Sequence, residues 1–178
     1  MNGDKELNSL DQIRVDQTPT PQITFGLNAN FQYGNFDFSF LLQGQANAKT
    51  YFGDYFPVMS YSLGNFLAWR AADRWTPEHT DATMPRASAD VFNNNTAGST
   101  QWLLDASFLK LRNVQIGYNL PQHIAQKMRM QKLRVFVSGS NLLILADHMK
   151  DLGFDPETSD YWYYPPQRVI NFGATITF

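Results

Sequence analysis

The 178-residue chain has no cysteine. That excludes a disulfide framework, a thiolate metal centre and a cysteine nucleophile. Charge is also scarce: Asp, Glu, Lys and Arg make up 17% of the residues, against a usual level of about 25%. The net charge of −2 provides no general attraction to nucleic acid. The longest apolar run, Leu142 to Ala146, falls far short of a membrane-spanning helix, which needs roughly 18 such residues. The start, Met1 to Glu6, is polar and acidic and has none of the features of an export signal. His79, His123 and His148 stand apart without metal-ligand spacing, and there is no G-x-S-x-G, H-E-x-x-H or phosphate-loop pattern. The chain is therefore expected not to be an enzyme. A glycan-processing activity would need a paired carboxylate cleft that nothing in the sequence points to.

Aromatic residues, by contrast, are plentiful: 14 Phe, 8 Tyr and 4 Trp. The dominant pattern is period-two alternation, the signature of a strand with two unlike faces. Ile23, Phe25, Leu27, Ala29, Phe31 and Tyr33 alternate with Thr24, Gly26, Asn28, Asn30 and Gln32. A Gly34-Asn35 turn signal follows, and Phe36, Phe38, Phe40 and Leu42 continue the pattern, with Leu41 as the exception. Ile170, Phe172, Ala174, Ile176 and Phe178 do the same at the end. Two weaker alternations lie between. The expected strands are near 22–33, 36–47, 107–120, 133–143 and 169–178, with long connections at 49–105 and 144–168. Residues 1–20 read as a loop entering this segment, and 21–178 as the segment itself.

Three features turn the alternation towards a membrane. The strands are long enough to cross a bilayer at a tilt, which takes about ten residues. Their polar face is mostly Asn, Gln, Thr, Ser and Gly. Tyr33, Phe36, Tyr118 and Phe178 gather near strand ends, where rings form interfacial girdles. Short connections (Gly34-Asn35 and 121–132) alternate with long ones, as periplasmic turns alternate with extracellular loops. The expected fold is all-β: about five antiparallel strands of a transmembrane β-barrel, with long extracellular loops containing a short helix. The alternative is a soluble β-sandwich acting as a carbohydrate-binding module.

Several residues are candidates for binding. Leu63, Phe66, Leu67 and Ala71 sit at helical spacing within 60–75, predicting a loop helix. Trp69, Asp73, Arg74, Trp75 and Trp102 are candidate ligand contacts, since rings stack on sugar faces while carboxylates and guanidinium groups bind hydroxyls. Tyr161, Trp162 and Tyr163 form a second aromatic cluster, suited to interfacial anchoring or to ligand stacking. Asn2, Asp4, Glu6 and Asp11 fall at spacings of an EF-hand-like loop and are candidate calcium ligands. Lys5 occupies the usual glycine position of such a loop, and a plain polar loop is the alternative. No other cofactor is required. Lys127, Arg129, Lys132 and Arg134 mark a short basic turn, too limited for nucleic acid.

The segment Ser107-Phe108-Leu109-Lys110-Leu111-Arg112-Asn113-Val114-Gln115-Ile116-Gly117-Tyr118-Asn119-Leu120-Pro121 resembles the "SFLRLKNVTLGYTLP" stretch of SusC/RagA-like TonB-dependent transporters. Val135 to Leu142 is similar to their "VYVSGQNL" strand, and Gly153-Phe154-Asp155-Pro156-Glu157 and the terminal Phe172-Gly173…Thr177-Phe178 also fit, in family order. The resemblance implies a large bacterial outer-membrane barrel of about twenty-two strands, closed by an amino-terminal plug, with the strands of this chain as its C-terminal ones. It implies import of glycans, peptides or other nutrients, powered by the TonB complex, beneath a SusD-like lipoprotein lid. The plug, the TonB-contacting segment, the export signal and the remaining barrel strands are then expected in a part that this chain does not carry. Five membrane strands leave two open edges that lipid cannot satisfy, so partner strands are required.

Overall fold

The computed structural model of the chain describes residues 3–4, 8–16, 19–52, 68–87, 98–158 and 164–178, with only the backbone at 69 and 70. In chain order the elements are β1 (Ile23–Tyr33), β2 (Phe36–Ala46), β3 (Lys49–Tyr51), α1 (Ala68–Ala72), β4 (Leu103–Asp105), β5 (Phe108–Asn119), α2 (Gln122–Lys127), β6 (Lys132–Asp147) and β7 (Val169–Thr177). Short 3-10 turns occupy Ser9–Asp11, Thr100–Trp102 and Lys150–Leu152. The chain divides into two units, one of residues 17–49 with 105–178 and one of 1–16 with 50–104. The long strands lie in the first.

Those strands form one antiparallel sheet in the order β1-β2-β5-β6-β7, while β3 and β4 form a separate two-stranded ladder. Every neighbour in the large sheet is antiparallel, so its connections alternate between its two ends. One end carries the two-residue Gly34-Asn35 turn and the α2 connection. The other carries 47–107 and 148–168. Gly34 adopts φ 56°, the positive value that a two-residue hairpin loop needs and a side chain resists. An 11-residue strand such as β1 rises roughly 36 Å, which at a tilt of about 45° crosses an apolar band of roughly 25 Å.

Because side chains alternate between faces, the register dictates what each face contains. Paired positions in an antiparallel ladder share a face. One row runs Phe31, Phe38, Ile116, Val137 and Phe172 across all five strands. The next runs Ala29, Phe40, Val114, Gly139 and Ile170, and towards the short-turn end lie Tyr33, Phe36, Tyr118, Val135 and Ala174. The opposite face carries rows such as Asn30, Ser39, Gln115, Ser138 and Asn171. The apolar face is not a core: Tyr33 is 89% exposed, Phe172 84% and Phe31 58%. A β-sandwich would have buried this face under a second sheet. The sandwich expectation is overturned, because among the described residues the large sheet is single and its apolar side stays open.

Alternation is weakest where the register shifts. Leu41 pairs with Asn113 but Leu42 with Leu111, leaving Arg112 as an extra residue. This bulge keeps Leu111 and Val114 on the apolar face and directs both Arg112 and Asn113 to the polar one. A second irregularity on β6 places Asn141 at φ 52°. β6 also continues to Asp147, beyond the expected end near 143, through Leu143, Ile144 and Leu145.

Candidate functional site

Two charged clusters stand on the polar face. Near the short turns, Asp37 of β2 and Arg134 of β6 form an ion pair across the intervening strand β5. Arg134 Nε donates to Asp37 Oδ2 at 2.9 Å, and Asn119 Nδ2 donates to the same oxygen at 3.3 Å. The guanidinium also lies 5.1 Å from the centre of the Phe136 ring. Gly117 lies beneath the pair: a Cβ there would fall within 2.5 Å of the Asp37 carboxylate. Gly173, the β7 partner of Phe136, leaves room for that ring in the same way. The row Asp37, Gly117, Phe136, Gly173 thus alternates a side chain with bare backbone.

The second cluster is nearer the long-connection end. Lys110 is only 3% exposed. Its Nζ lies 2.5 Å from Asp155 Oδ1 and 3.1 Å from Glu157 Oε2. Arg112 pairs with Glu157. It also donates to Gln43 Oε1 and Asn141 Oδ1, both at 2.9 Å. Asn141 in turn donates to the Gln167 carbonyl at 3.2 Å. Two cations face two carboxylates, so a costly buried lysine is compensated in full. The cluster joins the resembling segment at 107–121 to the Gly153-Phe154-Asp155-Pro156-Glu157 motif, whose Pro156 is fully buried. The sequence shows these charges, but their pairing needs the bulge at Arg112 and a separation of 45 residues to be closed.

The other unit holds a braced knuckle. Arg74 and Met84 form a parallel bridge, and Thr76 and His79 an antiparallel one. Trp75 N donates to Met84 O at 2.9 Å and Met84 N to Asp73 O at 3.2 Å. The Asp73 carboxylate accepts from the Thr83 amide at 3.3 Å and from its hydroxyl. Arg74 donates to the Ala71 carbonyl at 3.2 Å, closing the end of α1. Gln101 Nε2 donates to Thr83 O at 2.9 Å. Trp75, 40% exposed, borders a cavity of about 360 Å³ together with Thr83, Met84, Arg86 and Gln101.

The sequence candidates therefore separate. Trp75 presents a partly exposed ring, while Asp73 and Arg74 build its platform. Trp102 is 3% exposed, so its ring offers no stacking surface. Of Trp69 the backbone alone is described, within α1. Tyr161, Trp162 and Tyr163 lie outside the described residues, as do 60–67 of the expected loop helix. Asn2 and Glu6 also lie outside them. Asp11 Oδ2 accepts from Asn8 N at 3.2 Å in a capping box. Among the described residues no group of three His, Cys, Asp or Glu is placed to hold a metal ion. Arg86 and Gln101 had no motif to mark them in the sequence. In the basic turn, Gln122–Lys127 form α2, which buries Ala125. Among the described residues no helix is long and apolar enough to cross a membrane, which says nothing of strands.

No protein-family model matches the chain. It is 31% identical over 99% of its length to TonB-dependent receptor P26 of Formosa agariphila, and 28% identical over 100% to receptor P3 of the same organism. It is 25% identical over 99% of its length to TonB-dependent receptor SusC of Bacteroides thetaiotaomicron. The chain spans only 17–19% of these curated relatives. The solved RagAB peptide importer in its open-open state matches 97% of the chain with a TM-score of 0.72 at 21% identity, using 19% of that chain. In sequence and in fold, the chain thus corresponds to a C-terminal portion of the barrel of SusC/RagA-like TonB-dependent transporters.

Proposed function

We propose that the chain forms part of the wall of an outer-membrane transporter that imports a nutrient in a TonB-dependent manner. The observation that carries this reading is the five-strand sheet with one continuous, exposed apolar face and one polar face. Lipid stabilises such a face, since leaving each Phe, Leu or Ile in water forgoes roughly 1.5–3 kcal/mol. Aromatic contacts run along the apolar face, with Phe36 and Tyr118 ring centroids 4.7 Å apart and Phe38 and Phe40 5.8 Å apart. The polar face lines the passage. The long connections face the cell exterior, where a SusD-like lipoprotein would close over them. The open edges of β1 and β7 pair with the remaining barrel strands. The matching RagAB importer, described as a peptide importer, and the SusC relative support nutrient uptake by the whole protein.

The test is chromatography with light scattering, with and without detergent and with and without co-expressed complementary strands. The reading expects aggregation in buffer and a discrete species only with detergent and partner strands. A folded, detergent-free monomer would overturn it.

A further inference from the structure

We propose that the cavity beside Trp75 is a subsite for an anionic saccharide, one whose pyranose unit carries a carboxylate or a sulfate; the inference rests on reading the chain as part of a nutrient transporter. The cavity is a depression of about 360 Å³ that opens broadly to solvent. Its walls combine an indole ring with an amide and a guanidinium. A pyranose matches that set: its C–H face stacks on the ring, and its equatorial oxygens reach donors at the rim. Arg86 is the one charged residue among those lining the cavity, and it has no ion pair among the described residues. An unpaired guanidinium at a cavity rim selects an anionic oxygen group.

The backbone at the knuckle argues against a peptide. Extended peptides bind by adding a strand to free backbone groups. Here Trp75 N, Met84 N and the Asp73 and Met84 carbonyls are spent on one another, and the Thr83 amide is spent on Asp73. These bonds also hold the Trp75 backbone while leaving its ring free to be substituted. Gln101 is likewise held by Thr83 O, so the polar rim is set before any ligand arrives.

The experiment uses the full chain assembled with its complementary strands in detergent. Binding is followed by tryptophan fluorescence and calorimetry. The probes are an oligogalacturonate, a sulfated carrageenan oligosaccharide, neutral maltotetraose and an acidic tetrapeptide. Both acidic saccharides, or one of them, should bind more tightly than maltotetraose, and which one does identifies the anionic group. Trp75→Ala should weaken that binding by roughly tenfold or more, as loss of a central aromatic anchor does. Arg86→Gln should erase the preference for acidic over neutral sugar, and Trp75→Phe should retain part of the affinity. Equal affinity for maltotetraose, tighter binding of the tetrapeptide, or indifference to both substitutions would overturn the subsite. Assembly is measured on the same samples. Intact assembly without anionic saccharide binding sinks the subsite alone, whereas a detergent-free monomer sinks the transporter reading.

Discussion

Asp37 and Arg134, 97 residues apart in the chain, meet across β5 directly above Gly117. The contact exists only because the intervening residue has no side chain. Gly117→Ala would push the two charged groups apart and should cost the assembled barrel about 1 kcal/mol, the usual scale for a partly exposed pair. In an Asp37→Asn, Arg134→Gln background the same Gly117→Ala change should be close to neutral. A double-mutant cycle on thermal unfolding of the detergent-folded assembly measures this; an unchanged cost in that background would show that the glycine serves something else.

Lys110 is buried between two carboxylates, and removing it leaves Asp155 without its cation and Glu157 with Arg112 alone. Lys110→Met should destabilise by roughly 3–5 kcal/mol, the cost of breaking a buried pair on one side. The effect should appear first as release of the 150–158 segment from the sheet. Hydrogen exchange of that segment, compared with β1 far from the cluster, reads the change. Lys110→Arg keeps a cation in place and should leave the segment protected. The resembling family stretch carries Arg at this position.

The two faces predict a depth dependence. Val114 lies in the middle of the apolar face and Tyr118 in its row at the short-turn end. Val114→Arg should cost roughly 2–4 kcal/mol on folding into vesicles, whereas Tyr118→Arg at the interface should cost about 0–1 kcal/mol. Gln115→Arg, on the polar face, should be tolerated. Urea titrations of tryptophan emission in lipid vesicles would measure all three. Equal costs at 114 and 115 would mean that the faces are not lipid and lumen.

At Asp105, burial alone would raise the carboxyl. Hydrogen bonds from the Ser107 hydroxyl and amide, the latter at 2.8 Å, and the charges of His148 and Lys49 outweigh it and hold the group below its ordinary value of 3.8. A depressed carboxyl adds stability that is present above the ordinary value and is lost as pH falls below it, through the folded value. The Ser107 amide should therefore lose protection, relative to its intrinsic exchange rate at each pH, as pH falls below about 3.8, and Asp105→Asn, whose amide oxygen accepts the same bond without titrating, should abolish that pH dependence. Proton exchange by NMR between pH 7 and pH 3 would check both.

The strands of the large sheet were legible because alternation is local. Ile23 to Tyr33 announces its two faces without any knowledge of β2. Gly34 marks the hairpin because only the turn chemistry of two residues is involved. The weak stretch at 107–120 was harder, since its true pattern emerges only when Arg112 is taken out of register. Trp102 shows the converse. An indole is equally at home in a core or on a binding surface, and no local pattern says which.

The amino-acid sequence alone determined the long two-faced strands, the alternation of short and long connections, and the correspondence to one end of a barrel. The strands and their connections follow from period-two sterics and from the partition of apolar side chains, properties that each segment carries by itself; the correspondence to one end of a barrel follows from the resemblance of 107–121 and the segments after it to the transporter family. The tertiary structure decided the rest. It paired Asp37 with Arg134 and Lys110 with Asp155, set Gly117 beneath the first pair, buried Trp102 and left Trp75 partly exposed. Such contacts close loops of tens of residues, and their energies depend on register and burial, which no single segment contains.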